Sequence, residues 1–191
     1  MGTSQSWHGL ADLVKAARIL KQSGLGVKFL LVGPVSADVV KAAETELAGT
    51  LVLTGSVPYR EVAEYINAAD IAVAPYNILR SYRRTKGIGS PLKVLEYMAC
   101  GKPVVGSDIR QVAEIIEDGK DGVLFPQGDV EGFAGKISKL AKNGQLREEL
   151  GKNALEKARN GFSWYTFAVR LQEELIECIR GQPGRGSVTW T

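Results

Sequence analysis

Histidine and cysteine are nearly absent from this chain, which holds one histidine, His8, and two cysteines, Cys100 and Cys178. A lone histidine with no second histidine, cysteine or carboxylate at ligand spacing argues against a metal centre. It also leaves no Ser–His–Asp arrangement for nucleophilic catalysis. The cysteines lie far apart and match no metal spacing, so they read as two reduced, partly buried thiols in a cytosolic protein. No apolar run approaches the roughly 20 residues of a membrane helix. Polar residues follow Met1 where a signal peptide would be apolar, although a peripheral membrane role supplied by another segment stays open. Charge of one sign is lacking too: the net charge is +3 and the pI about 8.8. That is too mild, without a clustered basic face, to argue for nucleic acid. GxxxxGK[ST] is missing, which excludes a P-loop nucleotidase. GxGxxG is missing as well, since GIGSPL offers only two glycines and a proline.

What is present suits one globular domain with a real core. The chain has 191 residues, 45% hydrophobic and 24% charged. Helical and extended patterns alternate. Helices are expected over 9–22, 37–47, 61–69, from Ser90 to Ala99, and over 111–117, 130–142, 145–160 and 165–179. Short apolar strands bounded by glycine, proline or aspartate are expected at 28–33, 51–57, 71–75, 103–107 and 122–125. Such alternation implies a doubly wound parallel sheet with helices on both faces. Ligands of such sheets bind beyond the carboxyl ends of the strands. The loops after Val32, Thr54, Ala74 and Val105, the last carrying Gly106 and Ser107, should therefore converge on one crevice. Met1–Gly9 offers no strand before the first helix: either that strand is too polar to read as one or the chain begins just after it. GQPGRGSVTWT, at 181–191, reads as a loose tail.

The most informative stretch is Gly87–Asp108. It reads as a glycine-broken loop, a helix opening with Ser90 as N-cap and Pro91 in the first turn, a glycine stop at Gly101, and a strand. Bare backbone N–H groups at a helix start attract anions. At ~100° per residue, Leu92, Val94, Leu95, Met98 and Ala99 fall on one arc and Lys93, Glu96 and Tyr97 on the other. Glu96 can thus face the crevice and accept hydrogen bonds from two hydroxyls, at about 1.5–3 kcal/mol per charge-assisted bond. The same spacing fits an exposed pair with Lys93 contributing about 0.2–0.5 kcal/mol. Arg80, Arg83, Arg84 and Lys86 precede the glycines and read either as attraction for a diphosphate or as a solvated loop. Trp7, beside His8, reads as packing against the first helix.

At these residues the chain resembles a known family. SPLKVLEYMACGKPVVGSD followed by VAEIIEDGKDGVLF is similar to the C-terminal half of retaining glycosyltransferases of family 4, also called group 1, whose GT-B fold pairs two Rossmann-like domains. WHGLADLVKAARIL, LTGSVPYREVAEYINAADIAVAPY and GFSWYTFAVRLQEEL extend the resemblance from about Trp7 to about Ile179. The resemblance implies a donor domain over 1–180 for a nucleoside-diphosphate sugar, without a metal or other cofactor. The N-terminal acceptor-binding domain lies outside the chain. Glu96 would bind the ribose hydroxyls. Gly89, Ser90, Pro91 and Leu92 would hold the diphosphate, with Lys93, Arg84 and Lys86 as candidate cations. Val57 and Pro58 would flank the base. The expected compartment is the cytoplasm, with peripheral attachment to the inner membrane through the absent half.

Three departures accompany the resemblance. The family often has a second glutamate eight residues before the ribose ligand, where this chain has Ile88. The family's Arg and Lys near the start of the domain correspond to Thr3–Ser6 and to His8. The acceptor half is missing, so the chain alone should bind a donor weakly and transfer little or nothing. The expected function is the donor half of a sugar transferase. The alternative is a non-catalytic module that kept the fold and lost the site. A third reading, a sugar-nucleotide epimerase, needs acid/base carboxylates and histidines that this chain does not show.

Overall fold

A computed structural model describes residues 8–78 and 90–180. The elements run α1 (Leu10–Gln22), β1 (Phe29–Val32), α2 (Ala37–Glu44), β2 (Leu51–Gly55), a 3-10 turn (Tyr59–Glu61), α3 (Val62–Asn67), β3 (Ala72–Ala74), α4 (Leu92–Ala99), β4 (Val104–Asp108), α5 (Arg110–Ala113), β5 (Val123–Pro126), α6 (Val130–Lys142), α7 (Gly144–Gly161) and α8 (Trp164–Ile179). Each expected strand is present. Side-chain caps set the later helix starts: Asp129, Asn143 and Ser163 each accept a first-turn N–H.

Two helices are shorter than their patterns suggest. The backbone leaves helical geometry at Thr45, at φ −116° and ψ −107°, and ends α2 early. Past α5, the Glu117 N–H donates to the Asp121 carboxylate at 2.9 Å instead of continuing the helix. Asp121 is itself buried and paired with Lys157 Nζ on α7 at 2.7 Å.

All strand pairs are parallel, in two pieces: β1 beside β2, and β3, β4, β5 in that order. Helices cover both faces. On one, α1, α2 and α6 enclose Phe29, Leu31, Leu51, Val105 and Phe125. On the other, α3, α4, α5 and α7 enclose Ala72, Ala74 and Val104. Adjacent residues of β4 thus serve opposite cores, as the strand's two-residue side-chain period requires. No ladder joins β1 to β3. A cleft of about 630 Å³ lies between them, lined by Phe29–Val32, by Ile71–Tyr76, and by parts of α1, α3 and α6. No strand precedes α1 among the described residues. Helix α8 buries none of its residues and leaves Trp164, Phe167, Leu171 and Leu175 exposed.

Gly106 and Ser107, expected in a crevice loop, lie inside β4. Ser107 is fully enclosed, and its hydroxyl has no hydrogen-bond partner. An unpaired buried hydroxyl costs about 1–3 kcal/mol. Ser107→Ala should therefore raise the melting temperature, and a fall would show that the hydroxyl is satisfied in solution.

Helix α4 ends in a Schellman motif. Gly101 sits at φ 68°, its N–H donates to Met98 O at 2.9 Å, and the Lys102 N–H donates to Tyr97 O at 3.0 Å. Helix α7 crosses this end so closely that a Cβ on Gly151 would stand 2.3 Å from Gly101 O. Gly151→Ala should cost about 1–3 kcal/mol by overpacking, read as a lower urea midpoint at unchanged slope. An unchanged midpoint would mean that α7 moves aside freely.

Candidate functional site

The site forms where α4 begins, at the carboxyl ends of the strands. Val94, Tyr97 and Met98 bury α4 against the second core cluster. The helix starts at Leu92, and its start is not capped by a side chain. Ser90 is thus not the side-chain cap that the sequence suggests, and Pro91 occupies the cap position. Ser90 acts through its carbonyl instead, accepting the Leu92 N–H at 3.0 Å, while Pro91 O accepts the Val94 N–H at 2.9 Å. Proline has no N–H. The Lys93 N–H lies in the same first turn, at the positive end of the helix dipole.

The two arcs expected on α4 need correction. Tyr97 is buried in the core, whereas Leu92 is 63% exposed. Lys93 and Glu96 are half-buried. They form no ion pair among the described residues, so the exposed pair weighed from their spacing is not what this helix builds. Lys93 Nζ instead stands 5.8 Å from the centroid of the Tyr76 ring, within cation–π range. The Tyr59 hydroxyl lies 3.5 Å from Glu96 Oε1, at the outer limit of a hydrogen bond. Tyr59 opens the 3-10 turn after Val57 and Pro58, and this turn is closed by the Glu61 N–H on Pro58 O at 2.9 Å. The loop after β2 is thereby brought against α4.

Two residues not singled out from the sequence, Tyr59 and Tyr76, complete the cluster. The available signal was an aromatic just past an apolar strand: Tyr76 follows β3, and Tyr59 follows the Val57-Pro58 corner. The His8 ring meets Tyr76 edge-on at 6.1 Å. The segment past Tyr76 is pinned by Asn77 Nδ2 on Asp12 Oδ2 at 2.6 Å, and by the Ile78 N–H on Gln127 Oε1 at 2.7 Å. Trp7, Arg80, Arg83, Arg84, Lys86, Ile88 and Gly89 lie outside the described residues, as do Thr3–Ser6 and the tail at 181–191.

Burial sets the electrostatics. It pushes the Tyr76 hydroxyl up to about 12, helped by the charge of Glu96. Tyr97 is raised by burial, then by Tyr76 and Glu96. Burial holds the Lys93 ammonium down to about 8, with Glu96 opposing. The Cys100 thiol is raised, chiefly by burial. The cluster therefore joins a partly desolvated cation, a helix start and a carboxylate within reach of aromatic rings. That set suits gripping an anion and a pair of hydroxyls. Among the described residues, no group of three His, Cys, Asp or Glu side chains gathers to hold a metal ion. No helix among them is long and apolar enough to cross a membrane.

Comparison with known proteins gives the family. Residues 1–143 match the description "Glycosyl transferases group 1". The amylovoran biosynthesis glycosyltransferase AmsK of Erwinia amylovora is 32% identical over 137 residues, which is 70% of this chain and 33% of that protein. The phosphatidyl-myo-inositol mannosyltransferase of Mycolicibacterium smegmatis is 27% identical over 173 residues, 91% of this chain and 42% of that protein. The chain spans less than half the length of these relatives. Among solved structures, Anabaena HepE in complex with UDP superposes with a TM-score of 0.77 at 21% identity, over 93% of this chain and 47% of its own. The C-terminal domain of LpcC, a group 1 glycosyl transferase from Francisella tularensis, gives 0.71 at 19% identity, over 84% of this chain and 82% of that one. The chain belongs to the group 1 glycosyltransferases, and its fold is that of one half, the C-terminal half, of a GT-B enzyme.

Proposed function

We propose that this chain is the donor-binding domain of a retaining glycosyltransferase that takes a sugar from a nucleoside diphosphate. The reading rests on one juxtaposition: Glu96, one turn into α4 and beside Lys93, meets Tyr59 of the loop that follows Val57 and Pro58. In this reading Glu96 accepts hydrogen bonds from the ribose hydroxyls. The diphosphate sits at Ser90–Lys93, held by the helix start and the Lys93 ammonium, with Gly89, Arg84 and Lys86 alongside. Val57 and Pro58 border the base. The same positive end stabilises charge growing on the departing diphosphate, so no metal enters. The acceptor and the rest of the cleft come from polypeptide beyond this chain, and the domain alone binds without transferring. UDP, which HepE holds in its solved complex, is the first nucleotide to try. Ile88, standing where a second carboxylate is expected, favours a second reading: a binding module without catalysis. Joining the domain to an acceptor half and assaying transfer separates the two.

Titration with UDP, GDP and ADP should shift the amides of Leu92 and Lys93 and the ring of Tyr59; no shift with any of them overturns the reading. Glu96→Gln should weaken nucleoside diphosphate binding at least about tenfold, since charge-assisted bonds contribute about 1.5–3 kcal/mol each. Inorganic pyrophosphate should bind the variant as it binds the parent, and an equal loss for both would remove Glu96 from the ribose.

Lys93 makes binding depend on pH. Nucleoside diphosphate affinity should fall as pH rises through about 8, where the ammonium of the free protein loses its proton. Stability should move the other way. The folded-state value is depressed, so between about 8 and the ordinary lysine value of 10.5 the unfolded chain binds more protons and the folded state gains as pH rises. Lys93→Met should flatten both slopes, measured by calorimetric titration and by urea midpoints; slopes that persist would assign them to another group.

A further inference from the structure

We infer that Tyr76 is a positioning residue of the site: its ring seats the Lys93 ammonium and keeps it off Glu96, so that two opposite charges on one helix stay available to one ligand. This deepens the donor-binding reading and rests on it. Lys93 and Glu96 stand three residues apart on α4, where side chains are neighbours and opposite charges ordinarily pair. Among the described residues, Lys93 Nζ makes no ion pair with Glu96 or with any other carboxylate. Its contact is the face of Tyr76, 5.8 Å from Nζ to the ring centroid. A ring face holds an ammonium more strongly than a carboxylate one turn along an exposed helix does, the more so where water is excluded. Lys93 is half-buried and Tyr76 only 6% exposed, a setting that favours the ring. Glu96 is left with a neutral neighbour, the Tyr59 hydroxyl at 3.5 Å, and keeps most of its capacity to accept.

The seat is built into the fold. The Tyr76 N–H donates to Ala74 O at 2.9 Å, closing a tight turn just past β3. The ring belongs to the same buried cluster as Val94, Tyr97 and Met98 of α4, and His8 meets it edge-on. Apolar packing therefore fixes ring and helix to each other, and Lys93 adds only its flexible stem. Without the ring, that stem lets the ammonium turn onto Glu96, and each charge then neutralises the other. A nucleoside diphosphate carries an anion at one end and a vicinal diol at the other. It calls on the lysine and the carboxylate together, so a closed Lys93–Glu96 pair would have to open before it could bind.

The test starts without a ligand. A water-soluble carbodiimide joins a lysine and a carboxylate in contact into an amide with loss of one water, read by mass on the peptide that holds residues 93 and 96. The parent and Tyr76→Phe should give little of this crosslink, and Tyr76→Leu at least about tenfold more. Abundant crosslink in the parent overturns the proposal without recourse to any variant, and so do equal yields in all three proteins. Calorimetric titration with UDP comes next. Affinity should fall at least about tenfold in Tyr76→Leu, since two charge-assisted contacts are compromised together, and Tyr76→Phe should restore it. With Lys93→Met already in place, Tyr76→Leu should weaken UDP binding no further, because the two residues act as one. An equal loss in both backgrounds would make Tyr76 a packing residue and overturn its role. UDP binding absent from the parent overturns the donor reading itself, whereas crosslink in the parent overturns the role of Tyr76 alone.

Discussion

The anchoring of α4 decides what the rest of this structure can do. Val94 and Met98 are fully enclosed, and burying such side chains is worth about 1.5–3 kcal/mol each. With those positions committed, the 3.6-residue turn leaves no freedom over where residues 93 and 96 emerge. The helix cannot slide along its axis either. Its last turn is closed by Gly101, and α7 lies across that end at the distance only Gly151 permits. Direction and position of the site are therefore settled by apolar contacts and one glycine pair, before any polar group takes part.

The same burial gives the polar groups their character. Lys93 lies against Tyr76 rather than in water, and its ammonium is held below the ordinary lysine range. A cation stripped of part of its hydration has less water to lose when an anion arrives. Tyr76 and Tyr97 keep their phenolic protons for the same reason. They offer donors and ring faces, not charge. Glu96 is then the single acidic side chain named in the cluster, and it points where the loop of Tyr59 comes down.

The strands were legible in the sequence because each is a short apolar run bounded by residues that do not continue a strand. The helices were legible from their periodicity. What escaped depended on contacts between distant residues. Nothing near Thr45 or Glu117 in the sequence shows that α2 and α5 stop early; past α5 the Glu117 N–H goes to Asp121, four residues ahead. Ser90 has the right chemistry for a cap, yet its carbonyl is used instead. On α4, residue type alone sends Leu92 inward and Tyr97 outward; in the structure Leu92 is exposed, while Tyr97 is buried in the cluster that also holds Tyr76. Glu96 and Lys93 were readable from spacing on one helix. Tyr59 and Tyr76 were not, since they reach the site from two other loops.

The interruption between β1 and β3 bears on cooperativity. Main-chain ladders usually knit a sheet into one folding unit, but among the described residues no ladder crosses the cleft. Val105 and Phe125 of one piece share an apolar cluster with Phe29 and Leu31 of the other, under α1 and α6, and Asn77 past β3 bonds Asp12 of α1 at 2.6 Å. Cohesion between the two pieces is thus carried by side chains packed under shared helices.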